Sequence, residues 1–151
     1  MTLSSCDTNI LLHALNIDSP YHAKAANFLK GQAKNRAFRV CELVLLELYI
    51  LLRNPAVLTE PLDAPAAANV CKCLRSNSNW GVLDYPGPLA LIMERLWDVA
   101  GAPSFARRRI FDARLAMTLL HYGVTEFYTQ NAKDFEGFGF QWVRDPLGQP
   151  A

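Results

Sequence analysis

Two acidic side chains lie in apolar surroundings along the sequence, and such positions are unusual enough to indicate chemistry. Glu47 is the one charged residue in the apolar run 43–52. Asp112 has apolar residues three, four and seven positions further along a predicted helix, so its carboxylate shares a face with residues that pack in a core. Because an unpaired buried carboxylate is costly, acids in such places often mark functional sites. We therefore predict that Glu47 is buried or lines a cavity.

Each of these acids also has a purely structural interpretation. Asp112 lies in the first turn of its predicted helix, where the helix dipole favours a negative charge. Glu47 could instead form a structural salt bridge with an arginine. The weight of the functional interpretation therefore depends on other acids in the chain.

Two further acids follow predicted strands. Asp7 comes directly after the strand 3–6, and Asp134 lies in the polar loop after the strand 124–129. Ligands bind beyond the carboxyl ends of strands in parallel α/β sheets, so both positions are typical of a site. The structural alternatives are that Asp7 or Asn9 caps the next helix and that Asp134 caps its loop.

Convergence of these four carboxylates would create strong repulsion. Two like charges about 4 Å apart repel by roughly 4 kcal/mol at an effective dielectric constant of about 20. A proton or a bound cation must relieve that repulsion. Because every candidate ligand is an oxygen, Mg²⁺ or Mn²⁺ suits the set better than Zn²⁺. Acidic clusters that hold such ions activate water and stabilise phosphoryl oxygens in nucleases and phosphatases.

The order of predicted elements indicates how the acids could be brought together. Strands alternate with helices, which is typical of an α/β fold with a central parallel β-sheet flanked by α-helices. The predicted strands are 3–6, 38–40, 80–84, 124–129 and 137–143, and a turn starts at Tyr85. The main predicted helices are 21–30, 41–54, 66–75, 89–100 and 110–122. The last of these ends at Gly123, a residue that commonly stops helices.

Composition excludes several classes of protein. The 151 residues predict one domain, 1–151, and a hydrophobic content of 51% with 19% charged residues argues against disorder. The net charge of +1 gives no global signal for nucleic acid, although a local patch remains open. No apolar run approaches twenty residues and no basic-then-apolar leader is present, so we expect a soluble cytoplasmic protein.

The sulfur and imidazole side chains do not form a soft-metal motif. Cys71 and Cys73 lack the spacing of a zinc site, and the other two cysteines are distant in sequence. We expect four reduced thiols. The three histidines have no histidine or cysteine at metal spacing, so we interpret them as surface or helix-face residues.

A basic triplet stands just before Asp112. Arg107, Arg108 and Arg109 could bind a nucleic-acid phosphate beside the acids. An ordinary solvated basic turn explains the same three residues equally well.

The ordered set of motifs resembles the PIN-domain ribonucleases, in particular the VapC-type toxins of bacterial toxin–antitoxin pairs. The matching segments are CDTNILLHA at 6–14, LVLLELYILLRNP at 43–55, the helix–strand–loop segment 110–135 and WVRDPL at 142–147. Each segment alone is weak, but their order and spacing cover nearly the whole chain. The resemblance implies a PIN-like fold with an acidic Mg²⁺ site at one edge of the sheet.

The resemblance also implies roles for individual residues. Asp7, Glu47 and Asp112 fall on the first three acidic positions of the family, and Thr129 matches a threonine at the end of the last motif strand. The fourth acidic position departs from the pattern. Many relatives carry aspartate two residues after that threonine, where this chain has Asn131.

Two hypotheses follow from the residues and the resemblance together. In the first, the chain is a Mg²⁺-dependent endoribonuclease toxin in which Asp7 and Asp112, with Asp134, bind the metal and Glu47 activates water. Asn9, Thr129 and Asn131 would support the acids. The family implies an RNA substrate such as tRNA, a small antitoxin partner and a homodimer. In the second hypothesis, the chain is a catalytically silent PIN-like interaction module whose acids bind the basic arm of a partner protein.

Overall fold

Five parallel strands form the centre of the part of the chain that the computed structural model describes, residues 1–84 and 86–150. Each strand is parallel to its neighbours, and the spatial order is β3 (Gly81–Leu83), β2 (Phe38–Cys41), β1 (Leu3–Cys6), β4 (Val124–Tyr128) and β5 (Trp142–Arg144). Since β1 and β4 are adjacent, their carboxyl ends meet at one edge, where Cys6 pairs with Tyr128. The predicted central parallel sheet is therefore confirmed.

Six α-helices of the described residues flank this sheet, and short sequence signals set their ends. They are α1 (Thr8–Leu15), α2 (His22–Gln32), α3 (Glu42–Leu52), α4 (Ala64–Arg75), α5 (Leu89–Ala100) and α6 (Ile110–His121). Asp63 caps α4 by accepting the backbone N–H of Ala66 at 2.9 Å. Gly123 follows α6 with a φ of 81°, a left-handed conformation that glycine adopts without strain. None of these helices is long and apolar enough to cross a membrane.

The last strand begins later than the sequence predicts. The run 137–143 favours a strand, but the paired segment is Trp142–Arg144. Gly137 and Gly139 have φ values of 83° and 117°, which β-strands do not use, so the run starts as a loop. The turn predicted from Tyr85 starts outside the described residues.

The hydrophobic core connects the sheet to the helices that carry the acids. Leu11 of α1, Leu48 of α3 and Phe127 of β4 are fully buried members of one cluster. Each such side chain stabilises the fold by roughly 1.5–3 kcal/mol relative to an exposed one. Phe135 joins this cluster with its ring 4.7 Å from that of Phe127. This contact anchors the 3₁₀ turn Ala132–Phe135 near the carboxyl end of β4.

Candidate active site

Asp7 lies where β1 ends, and hydrogen bonds from two threonines fix its carboxylate. Its Oδ2 accepts the Thr129 hydroxyl at 2.8 Å, and its Oδ1 accepts the backbone N–H of Thr8 at 2.7 Å. The Asp7 backbone N–H donates to the carbonyl of Tyr128 at 2.8 Å, which ties the ends of β1 and β4 together. Asp7 is 9% exposed, and its side chain also caps α1. Its role as a helix cap is therefore compatible with its position in the site.

Glu47 is joined to the same place through Thr8. The buried hydroxyl of Thr8 donates to Glu47 Oε2 at 2.9 Å, which links α1 to α3. Of the two predicted places for Glu47, buried or lining a cavity, the structure shows the second: the side chain is exposed and lines a cleft. The apolar run does not bury Glu47, because Leu46 and Ile50 of the same helix are themselves 54% and 64% exposed. Among the described residues, the ion pair found joins Glu42 to Arg75 and does not involve Glu47.

The other two predicted acids, Asp112 and Asp134, lie on α6 and on the turn after β4. Asp112 is half-buried in the first turn of α6, and Asp134 is exposed in the 3₁₀ turn after β4. Burial, the charge of Asp134 and the charge of Glu47 raise the pKa of Asp112, whereas Arg109 lowers it. The charge of Asp134 therefore acts on Asp112 and disfavours its ionised form.

Crowding of charge also reaches Asp7. Its pKa rises to about 6, first because burial penalises the carboxylate. Hydrogen bonds from Thr129 and Thr8 oppose that rise, while the charges of Glu47 and Asp112 add to it. The structure therefore brings Asp7, Glu47 and Asp112 to one cleft, while Asp134 lies outside the cleft lining and its charge acts on Asp112.

An open cleft of about 510 Å³ gives access to three of these acids, Asp7, Glu47 and Asp112. Two cations, Arg108 and Arg114, lie on its walls, and the remaining lining is largely apolar. A negative substrate that enters this cleft would meet positive charge beside the acids.

The basic triplet divides into three different environments. Arg108 lines the acid cleft, and Arg107 is exposed. Arg109 donates to the carbonyl of Asp134 at 3.0 and 3.3 Å and to the carbonyl of Glu136 at 3.3 Å. Its guanidinium also lies 4.7 Å from the ring centroid of Phe138. Arg109 is thus engaged in holding the turn that carries Asp134.

The predicted supporting residues surround the Thr129 hydroxyl. This oxygen accepts the backbone N–H of Asn131 at 3.0 Å and the side-chain amide of Asn9 at 3.4 Å while donating to Asp7. The side-chain oxygen of Asn9 in turn accepts the backbone N–H of Gln130 at 3.4 Å. The side chain of Asn131 itself is exposed.

The donor set fits a hard divalent ion that keeps part of its water shell. The three candidate ligands, Asp7, Asp112 and Asp134, offer carboxylate oxygens, and burial, with neighbouring acidic charges in addition, raises the pKa of Asp7 and of Asp112. In residues 1–84 and 86–150, no three His, Cys, Asp or Glu side chains lie close enough to hold a metal by themselves. Mg²⁺ usually retains several waters and takes one or two carboxylates, so this arrangement suits it. The four cysteines are free thiols, as predicted.

Comparison with known proteins shows which family this chain resembles in sequence. The sequence profile of the PIN domain matches residues 5–140 of this chain. Ribonuclease VapC24 of Mycobacterium tuberculosis, in two strains, is 52% identical over 143 residues, which cover 95% of this chain and 96% of that protein. The chain belongs to the VapC ribonucleases of the PIN-domain family. The resemblance predicted from the motifs is therefore confirmed.

Solved structures support the PIN-like fold. VapC20 of Mycobacterium tuberculosis, described as a sarcin-ricin loop cleaving toxin, superposes with a TM-score of 0.68 at 18% identity, covering 93% of this chain and 98% of that one. VapBC2 of Rickettsia felis, bound to a DNA fragment from its promoter, gives 0.65 at 16% identity, covering 95% and 98%. At these identities the likeness is one of fold. VapC nucleases of the PIN family generally use a divalent metal, which agrees with the chemistry of the acid set.

The sequence analysis missed several contributors to this PIN-domain site. Thr8 lies between Asp7 and Asn9 in the sequence, and that position is a signal from which its place in the site can be predicted. Arg114 lines the cleft two residues beyond Asp112, and nothing in the local pattern distinguished it from a solvated arginine. Arg109 holds the turn that carries Asp134 through a contact between residues 25 positions apart, which sequence spacing alone does not show.

Proposed function

We propose that this VapC-family chain is a metal-dependent endoribonuclease that hydrolyses RNA phosphodiester bonds as the toxin of a toxin–antitoxin pair. The observation that carries this proposal is the set of three acids, Asp7, Glu47 and Asp112, in one cleft at the carboxyl edge of the sheet, with the charge of Asp134 acting on Asp112. The 52% identity to Ribonuclease VapC24 supports the same activity. We also propose that residues 1–151 form a single PIN domain.

The acids divide the work between metal binding and water activation. Asp7 and Asp112 would hold Mg²⁺, or Mn²⁺ in its place, and Asp134 would complete the set directly or through a water. When bound, such an ion lowers the pKa of water and stabilises negative charge on phosphoryl oxygens. Glu47 is the more exposed acid of the cleft, so it suits the task of orienting a water and accepting its proton.

The cleft arginines supply the charge that an RNA backbone requires. Arg108 lies on the cleft wall beside the acids and is placed to contact a phosphate. Arg109 already donates to backbone carbonyls, so its part is to hold the Asp134 turn. Arg107 is exposed and could add a weaker, longer-range contribution.

We propose that the partner of this chain is a small antitoxin and that the toxin acts in the cytoplasm as a homodimer on tRNA or a similar structured RNA. The Rickettsia felis relative was crystallised as a VapBC complex with promoter DNA, which supports an antitoxin partner. Leu46, Ile50 and Phe111 are exposed apolar residues on the acid cleft, so a protein partner could cover them.

The testing experiment is cleavage of structured RNA by the purified, antitoxin-free protein. We expect cleavage in single-stranded loops with Mg²⁺ or Mn²⁺, none in excess EDTA, and none with Asp7→Asn. Expression of the chain alone should arrest bacterial growth, and the neighbouring small protein should relieve that arrest. Cleavage that persists in EDTA would refute the mechanism. No cleavage by folded protein and unimpaired growth would favour the silent interaction module.

A further inference from the structure

A histidine outside the acid set is hydrogen-bonded to the segment that carries Thr129. His13 lies in the last turn of α1, and its Nε2 is 2.8 Å from the side-chain oxygen of Gln130. Its Nδ1 is 2.7 Å from the hydroxyl of Ser19 in the turn after α1. Both ring nitrogens are therefore engaged, which distinguishes His13 from the solvated helix-face histidine that the sequence suggests.

The acceptors around the ring determine which nitrogen carries the proton. The oxygen of Gln130 can only accept, so Nε2 of His13 donates to it. The Ser19 hydroxyl accepts the backbone N–H of Tyr21 at 3.1 Å and is free to donate its own hydrogen to Nδ1. A His13 ring that carries a proton on Nε2 and accepts at Nδ1 satisfies both of these contacts.

Helix α1 contacts the segment after β4 at two points of one helix face. Asn9 and His13 are four residues apart, so both project from the same side of α1. Asn9 accepts the backbone N–H of Gln130, and His13 donates to the Gln130 side chain. Gln130 is therefore bonded to α1 through both its backbone and its side chain.

This double contact lies one residue from the hydroxyl that orients Asp7. Thr129 donates to Asp7 Oδ2 at 2.8 Å and takes a hydrogen bond from Asn9 at 3.4 Å. If Gln130 loses its hydrogen bond with His13, the Thr129 side chain becomes more mobile. The direction of the Asp7 carboxylate is then less well defined. Carboxylate oxygens must be directed well to hold a metal that demands near-ideal octahedral geometry.

We propose that His13 is a positioning residue of the acid site, which acts through Gln130 on the Thr129–Asp7 pair and so on divalent-metal affinity. The inference rests on the proposed metal-dependent function. His13 contacts neither metal nor RNA in this account. Its contribution is the hydrogen bond between Nε2 and Gln130. The Tyr21 ring packs beside His13, with 5.0 Å between the two ring centroids.

The experiment measures Mn²⁺ affinity of the purified full chain by electron paramagnetic resonance of free Mn²⁺. His13→Ala should weaken binding about five-fold, the effect of losing one hydrogen bond that fixes a ligand. His13→Gln can donate a side-chain N–H to Gln130 and should restore most of the affinity. Gln130→Leu, which removes the acceptor and leaves α1 intact, should weaken binding as His13→Ala does, and the two changes together should add little.

His22→Ala is the matched control, because His22 bonds the backbone oxygen of His13 and does not reach Gln130. It should bind Mn²⁺ like the wild type. Nitrogen-15 correlation spectra should show His13 protonated at Nε2, and Gln130→Leu should change that signature. The inference is overturned if Gln130→Leu binds Mn²⁺ like the wild type, or if His13→Gln is as weak as His13→Ala. A wild type that neither binds Mn²⁺ nor cleaves RNA would instead refute the proposed function.

Discussion

The four carboxylates of the site fall into two pairs that the protein positions in different ways. The held pair, Asp7 and Glu47, receives hydrogen bonds from threonine hydroxyls that belong to α1 and to the end of β4. The open pair, Asp112 and Asp134, is positioned by the backbone elements that carry it. Asp112 lies in the first turn of α6, and Asp134 lies in a 3₁₀ turn to which Arg109 donates hydrogen bonds.

The difference teaches how a strongly negative site can be both stable and adaptable. Two hydrogen bonds hold Asp7 in a buried position even though its pKa is raised to about 6. The charge of Asp134 acts on Asp112, yet Asp134 remains accessible to solvent. We infer that the held pair presents oxygens in fixed directions, while the open pair adjusts when an ion and RNA arrive. The predictions below test that division.

The largest expected effect is loss of cleavage in Glu47→Gln. The amide can still accept from Thr8 but cannot take a proton from water, so we expect cleavage to fall about a thousandfold. Since Glu47 is exposed, the free energy of unfolding should change by less than about 0.5 kcal/mol. Single-turnover cleavage and urea unfolding measure the two quantities, with Glu60→Gln, another exposed acid, as the control. If the variant unfolds, Glu47 is instead structural.

The second prediction concerns pH and the held pair. The pKa of Asp7 is raised from 3.8 to about 6, so the folded protein binds this proton more tightly than the unfolded chain. The stability contribution of the protonated form is complete below about pH 4 and is lost as the pH rises through about 6. The expected loss is about 3 kcal/mol in metal-free protein.

Urea unfolding in EDTA, for the wild type and Asp7→Asn, checks this pH dependence. Asparagine keeps the helix cap and removes the titration, so the difference between the two proteins isolates Asp7. The wild type should lose stability relative to the variant between about pH 4 and about pH 7. If the free energies of unfolding of the two proteins change in parallel with pH across that range, ionisation of Asp7 does not destabilise the folded protein.

Local patterns in the sequence were enough to predict much of this molecule. Alternating strands and helices predicted the parallel sheet, and the apolar neighbours of Glu47 and Asp112, together with the position of Asp7 after a strand, predicted the site. The sequence left open whether Glu47 is buried or lines a cavity, because an apolar run does not reveal that part of a helix faces an open cleft. The His13–Gln130 contact spans 117 residues and depends on side-chain direction, which a sequence pattern does not contain.

The third prediction separates the arginines that flank the open pair. Arg109→Ala removes the hydrogen bonds to Asp134 and Glu136 and a charge that lowers the pKa of Asp112. We expect the Mg²⁺ concentration for half-maximal cleavage to rise about ten-fold, a loss of about 1.4 kcal/mol. Arg109→Lys keeps the charge without the planar fork and should be intermediate. Arg107→Ala is the control, because Arg107 is exposed. An equal effect of that change would contradict the role of Arg109 in holding the Asp134 turn.

The smallest effect is expected at the fourth acidic position. Asp134→Asn should raise the Mg²⁺ requirement by about three-fold, because an exposed carboxylate contributes less than a buried ligand. Asn131→Asp should lower that requirement or leave it unchanged. A Mg²⁺ titration of cleavage compares both variants with the wild type. If Asp134→Asn matches the wild type, Asp134 is structural and the site works with the other three acids.

The central claim is that the held pair and the open pair share one divalent ion, with Asp7 and Asp112 as its ligands. Direct Mn²⁺ binding to Asp7→Asn and Asp112→Asn tests it, because each variant removes one carboxylate from one pair. The account predicts that both variants lose at least about ten-fold in Mn²⁺ affinity while remaining folded. Wild-type affinity in Asp112→Asn, with binding lost in Asp7→Asn, would contradict the shared ion.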